Sequence, residues 1–142
     1  MFKKVFIAIA CLLLSIAAVL PALSQGAENE PSRVFLTYIR ELYYAKKLKQ
    51  VSKYWIENSA NHYDSMEGTR EVYEMQKLKT GYVANPRIVS SVIQGERCLI
   101  EGTGVASDLN RTFPCNLHVI MLHEKGHWRI QYYNWTATIR HL

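Results

Sequence analysis

The sequence predicts an α+β fold, in which N-terminal helices pack on an antiparallel β-meander, and three observations carry that expectation. From Pro31 to Leu78, apolar residues recur at three- and four-residue steps, the period of a helix with one buried face. From Arg87 onward the composition turns to Val, Ile, Thr, Tyr and Trp in short runs. Gly, Asn and Asp separate those runs at turn-like intervals.

Ahead of the helices lies a segment of a different kind. Lys3 and Lys4 give a positive start, and residues 5–20 are apolar except for Ser15. That run is too short to span a bilayer comfortably and has no charged flank on its far side. Pro21 breaks it, and Ala22-Leu23-Ser24 places small residues at both recognition positions of a cleavage site. Residues 1–24 therefore read as a secretory signal peptide, with the mature chain starting near Gln25 in the periplasm or outside the cell; an uncleaved signal anchor is the other reading of the same run. A lipid anchor would need Cys11 at the end of the apolar run, and it sits in the middle. Residues 25–31 read as a linker, and residues 32–142 as one domain around one core.

Loss of Lys3 and Lys4 lowers seventeen basic residues to fifteen against twelve acidic ones, so the net charge falls from +5 to +3. The densest basic cluster, Lys46, Lys47, Lys49 and Lys53, has acids on either side and reads as a solvated helix face rather than the continuous basic stripe of a nucleic-acid binder. After cleavage no apolar segment is left to hold the chain in a membrane.

Within the helical half, Pro31 suits a first turn, and Phe35, Tyr38, Ile39, Leu42 and Ala45 fall on one face of a first helix. Leu48, Val51, Tyr54, Trp55 and Ile56 continue the rhythm, as a second short helix after a bend at residues 45–47 or as an extension of one rod. A third helix starts at Asp64 or Ser65, carries Val72, Met75 and Leu78, and stops at Gly81. Asn85-Pro86 closes the helical half.

Four strands follow, near residues 88–94, 98–106, 115–124 and 127–136, joined by turns at Gly95-Glu96, residues 107–111 and Lys125-Gly126. A two-residue turn at Lys125-Gly126 sets Met121 opposite Ile130, Val119 opposite Tyr132 and Leu117 opposite Asn134. The side bearing Leu117, Val119, Met121, Trp128, Ile130 and Tyr132 is assigned to the core. The reverse side, with His118, Ile120, Leu122, Tyr133 and Trp135, carries too much apolar area for an ordinary wet face, so Ile120, Leu122, Tyr133 and Trp135 are candidates for a homodimer interface.

This arrangement of two or three helices and a meander that contains Glu101-Gly102-Thr103-Gly104 and ends in Glu124-Lys125-Gly126-His127-Trp128-Arg129-Ile130 resembles the nuclear transport factor 2-like superfamily over roughly residues 31–137. The resemblance, closest in kind to small exported members, implies a cone-like fold in which a curved sheet wraps a long helix and leaves a pocket at the wide end. In the superfamily's enzymes, among them ketosteroid isomerase and polyketide cyclases, that pocket holds a carboxylate base and oxyanion donors. No such motif matches here residue by residue, and no catalytic role is carried across.

Glu101 is the best independent acid-base candidate. A loop centred on Leu109 pairs odd residues with odd across the second and third strands and places Glu101 beside Leu117 on the core side, where desolvation would raise its pKa. A register change of one residue instead turns it toward solvent, Arg97 or Arg111. The same register sets Cys98 opposite Ile120 and leaves Cys115 five residues along, about 17 Å away. A Cys98–Cys115 disulfide, expected on grounds of compartment, then requires a bulge or tighter turn, which Pro114 makes feasible. His118, His123 and His127 are too dispersed along the strands for a metal site. Gly102-x-Gly104 has no following helix to offer a phosphate, so it reads as a strand that needs close packing or strong twist. No cofactor motif is present. Asn110-Arg111-Thr112 and Asn134-Trp135-Thr136 match the glycosylation acceptor pattern, which matters only in a glycosylating host.

Nine tyrosines and three tryptophans are the one compositional surplus. Tyr38, Trp55, Tyr73 and Tyr132 are candidates to line a pocket, the alternative being that such residues simply fill the core. With aromatics in surplus and no catalytic set, the function expected is a non-enzymatic exported domain that binds a small apolar ligand or a protein partner. An isomerase or dehydratase using Glu101 is the alternative.

Overall fold

The computed structural model describes residues 29–108 and 111–138. The signal expected over residues 1–24 and the first four residues of the expected linker lie outside them, as do Leu109 and Asn110 of the second turn.

Helix α1 spans Glu30–Tyr44, with Pro31 in its first turn as the sequence predicts; Glu30 and Pro31 thus belong to the helix and not to a linker. Its cap is Asn29, whose side-chain oxygen accepts from the Ser32 N–H at 3.1 Å and the Ser32 hydroxyl at 2.8 Å. The Ser91 hydroxyl donates to that same oxygen at 2.8 Å, so the cap also fastens the helix to the sheet. Phe35, Tyr38, Ile39 and Leu42 form its buried face.

The helix ends at Tyr44 and the chain then makes two single 3₁₀ turns, Leu48–Gln50 and Ser52–Tyr54, in place of the second helix expected. Leu48 of the first turn and Val51 between the two are completely buried. Helix α2, Glu57–Asp64, was not expected, because it buries no residue and so carries no apolar period. Asp64 closes that helix rather than opening the next, and accepts the Ser52 hydroxyl at 2.6 Å. Helix α3, Gly68–Thr80, ends at Gly81 as predicted. It buries only Met75, while Val72 stands in solvent.

Strands β1 (Val83–Gln94), β2 (Arg97–Asp108), β3 (Arg111–Glu124) and β4 (His127–Ala137) form one antiparallel sheet in the order β1-β2-β3-β4, a meander. The helices cover one face: Ile100, Leu117, Val119, Met121, Trp128 and Ile130 share a core with Phe35, Ile39, Leu42, Leu48 and Val51. The fold is thus α+β, helices packed on a curved meander. β1 starts five residues earlier than expected because it runs through Asn85-Pro86 as an irregularity, with Asn85 at φ 50°. This brings the β1 backbone against β2, and a Cβ on Gly102 would stand 2.6 Å from the Arg87 carbonyl oxygen. Gly102 supplies the close approach expected of it.

Two registers differ from expectation. Between β2 and β3, pairing continues to Asp108↔Arg111, so Cys98 faces Met121 rather than Ile120 and Glu101 faces His118. The strands pair up to a two-residue connection instead of a five-residue loop centred on Leu109, and that odd-to-even change turns Glu101 to the outer face. Between β3 and β4, Met121 faces Ile130 as predicted, but a bulge follows and Ile120, Val119 and Leu117 then face Tyr132, Tyr133 and Trp135. Gln131 is the extra residue. Tyr133 and Trp135 therefore turn toward the helices, and Tyr132, assigned to the core from the sequence, is 48% exposed.

Candidate functional site

The bulge in β4 builds the most distinctive concavity of the molecule, a cleft of about 480 Å³ between the end of α3 and β4, floored by Tyr38 of α1 and by Trp55. Trp55 is held at the edge of the sheet: its segment bridges to Ile130, and the Ile56 N–H donates to the Ile130 carbonyl at 3.0 Å. The opposite wall is pinned by two hydrogen bonds to the C-terminal turn of α3. The Tyr133 hydroxyl donates to the Gly81 carbonyl at 2.5 Å, and the Trp135 indole N–H donates to the Thr80 carbonyl at 3.1 Å. Those carbonyls end a helix and have no acceptor role within it, so β4 caps α3 from the side.

The rings meet edge-on, the preferred geometry of aromatic pairs. Tyr38 lies 5.8 Å from Trp55 at 87° and 6.4 Å from Tyr133 at 83°, and Phe35 backs Tyr133 at 5.0 Å. Burial drives the Tyr38 hydroxyl well above the usual phenol range, opposed by the nearby Trp55 N–H. Burial does the same for Tyr133, reinforced by Tyr38 and Cys115. Both therefore stay neutral hydrogen-bonding groups at any physiological pH. Trp55 Nε1 is the one buried side-chain polar atom without a hydrogen-bond partner among the described residues. Lys77 is the one charged side chain among the described residues that line the cleft, and its ammonium lies 3.8 Å from the carboxylate of Glu74 just outside that lining.

Of the four residues expected in a pocket, the structure brings Tyr38 and Trp55 together and excludes two. Tyr73 is 64% exposed on the outer side of α3, and Tyr132 projects from the far side of the sheet. Tyr133 and Trp135, expected on a dimer face, take their places as the cleft wall. The composition flagged the right residue types, but the bulge that selects among them leaves no local signal in Ile130-Gln131-Tyr132-Tyr133.

Glu101 lies outside this site. Its carboxylate accepts from His118 Nδ1 at 2.6 Å on the outer face, where both side chains are about half exposed, and it lines none of the clefts described for the molecule. Glu101 is therefore not the buried carboxylate that the expected register implied: its side chain is half exposed and lines no described cleft. The expected disulfide does not form either. Cys98 faces Met121 and Cys115 faces Gly104, both as free thiols, and six residues of strand separate them by about 20 Å, against about 7 Å for a bridge. Among the described residues no three His, Cys, Asp or Glu side chains converge as metal ligands, and no helix is long and apolar enough to cross a membrane.

Comparison with known proteins finds no matching family, no matching curated protein and no matching solved structure.

Proposed function

We propose that the protein is an exported binding domain, of the nuclear transport factor 2-like kind, whose ligand site is the cleft between α3 and β4. The observation that carries this reading is the convergence of Tyr38, Trp55, Tyr133 and Trp135 on one opening whose described lining includes no carboxylate. Such walls hold a small, largely apolar ligand with a planar portion, because rigid aromatic faces bury area at little conformational cost. The unpartnered Trp55 N–H asks for a hydrogen-bond acceptor on that ligand, and Lys77 at the rim favours a negative one. Export rests on the pattern of residues 1–24.

Titration with anilinonaphthalene sulfonate, a planar apolar anion, tests the reading. The expected result is saturable binding at one site per chain. Trp55→Phe keeps an aromatic face, smaller than the indole, and removes the donor, so affinity falls roughly tenfold, about the worth of one buried hydrogen bond. Lys77→Glu lies at the surface and weakens the anion further without touching the core. No saturable binding, or binding that both variants leave unchanged, overturns the assignment.

A further inference from the structure

A second concavity, which shares no lining residue with the cleft above, lies where the C-terminal half of α1 meets β1. Leu36, Arg40, Tyr43 and Tyr44 fall at three- and four-residue steps on α1 and line it together with Tyr82, and the β1 irregularity adds Pro86. Its volume is about 220 Å³, and buried Ile39 and Val83 form its floor. The three tyrosines make one cluster, in which Tyr43 lies 4.9 Å from Tyr44 at 87° and 5.1 Å from Tyr82 at 45°. Tyr43 is 56% exposed and Tyr44 73%, a large aromatic area to leave in water. Arg40 and Tyr44 also line an adjoining cleft of about 310 Å³ that reaches Ala45 and Gln50, so the two form one elongated groove.

We infer that this groove binds a proline-rich, acidic segment of another protein in the polyproline II conformation. The chemistry of the walls selects that class. Among the described residues that line the tyrosine part, every polar side chain is a donor, the Arg40 guanidinium and three phenols, and none is a carboxylate or an amide. Glu41, in the adjoining part, is engaged by Lys53 at 3.1 Å. A polyproline II chain has no internal hydrogen bonds, so its carbonyls are free to accept from such donors. Its prolines carry no N–H, so none is left unpaired against a wall poor in acceptors. An ordinary extended peptide brings one amide donor per residue and loses that advantage. Strand addition is disfavoured as well, because Pro86 interrupts the row of N–H groups along β1 at this point. Aromatic side chains set close together are the usual seat for proline rings. The surrounding charge selects acidic neighbours for those prolines. The Lys79 ammonium donates to the Tyr43 carbonyl at 3.3 Å. Lys46 and Lys47 are exposed beyond the end of α1, where the Gln50 side-chain oxygen accepts from their backbone N–H groups at 2.7 and 3.0 Å. With Arg40 these cations flank the groove and complement a negative ligand.

The full chain is expressed, and the form recovered is titrated by calorimetry with a capped peptide of six prolines bearing two glutamates at either end. Saturable binding at one site per chain is expected. Replacing the prolines by alanine, or the glutamates by lysine, weakens binding roughly tenfold or more. Tyr44→Ala removes the most exposed ring and weakens it roughly tenfold, and Arg40→Glu does so by repelling the glutamates. Both positions are exposed and leave the core intact, which circular dichroism checks. Trp55→Phe, in the other cleft, leaves the peptide affinity unchanged. The inference is overturned by the absence of saturable binding, by equal affinity for either control peptide, or by indifference to both groove variants. Loss of affinity in Trp55→Phe also overturns it, since the peptide then occupies the α3–β4 cleft. Binding to phosphatidylglycerol vesicles without binding to the peptide overturns it in favour of an anionic membrane surface.

Discussion

Cys98 and Cys115 show how much a single residue's surroundings decide. Cys98 is fully buried, 3.4 Å from the Ser91 hydroxyl, and Cys115 is 1% exposed. Burial raises both thiol pKa values; the Ser91 contact lowers that of Cys98, and backbone contacts with Ala106 and Gly104 lower that of Cys115, without cancelling the effect. The thiolate is the reactive form, so a rise in pKa together with burial protects each sulfur from oxidation under oxidising conditions. An aromatic disulfide reagent at about pH 8 should therefore modify neither thiol of the folded protein and both after unfolding in guanidinium, Cys11 aside. Prompt reaction of one thiol in the native state would contradict the register drawn here. Cysteine counting from the sequence pointed the other way, because compartment says that a bridge is permitted and only register says whether two sulfurs meet. Glu101 was misplaced for the same reason: a connection of two residues rather than five inverts the parity of β2 against β3, and nothing in Ser107-Asp108-Leu109-Asn110-Arg111 announces which.

At the scale of elements, legibility followed burial. Helix α1 could be read because four buried residues repeat at its period, and the β3–β4 hairpin because Lys125 and Gly126 both take positive φ, 49° and 82°, as a tight two-residue turn requires. Helix α2 could not be read because it buries no residue fully, Tyr63 packing only partly against the core. The β4 bulge escaped because its setting is non-local: the residues near Trp55 engage the edge of β4 at Ile130, and the extra residue follows at once. The cleft was legible as a composition and illegible as a place. The irregular path of β1 rests on a different local feature, the missing side chain at position 102. In Gly102→Ala the new methyl meets the backbone oxygen of Arg87, which cannot swing away as a side-chain end can. The substitution should lower stability by about 1–3 kcal/mol, seen as a lower urea midpoint at unchanged slope. An unchanged midpoint would mean that β1 does not approach β2 as described.

The whole molecule is held by α1 pressed against the sheet, and its most sensitive readout is alkaline pH. Tyr38 and Tyr133 sit where helix, sheet and cleft meet, and burial places both phenols far above the ordinary value near 10. Burial raises Tyr54 and Tyr63 to a lesser degree. The native state therefore keeps its phenolic protons over a range in which the unfolded chain releases them. Linkage fixes the sign: their contribution is fully present below about pH 10 and is lost progressively as pH rises through the native values, because the unfolded state binds fewer protons there. A spectrophotometric titration of the nine tyrosines should show the exposed ones ionising first and at least two only as the fold is lost, in step with the circular dichroism signal. Tyr133→Phe removes one of the two. It also removes the hydrogen bond to Gly81, so it lowers stability at neutral pH by about 1 kcal/mol while making the decline above pH 10 shallower. If all nine tyrosines ionise together while the chain remains folded, Tyr38 and Tyr133 are in water, and the core on which the cleft depends is not as described.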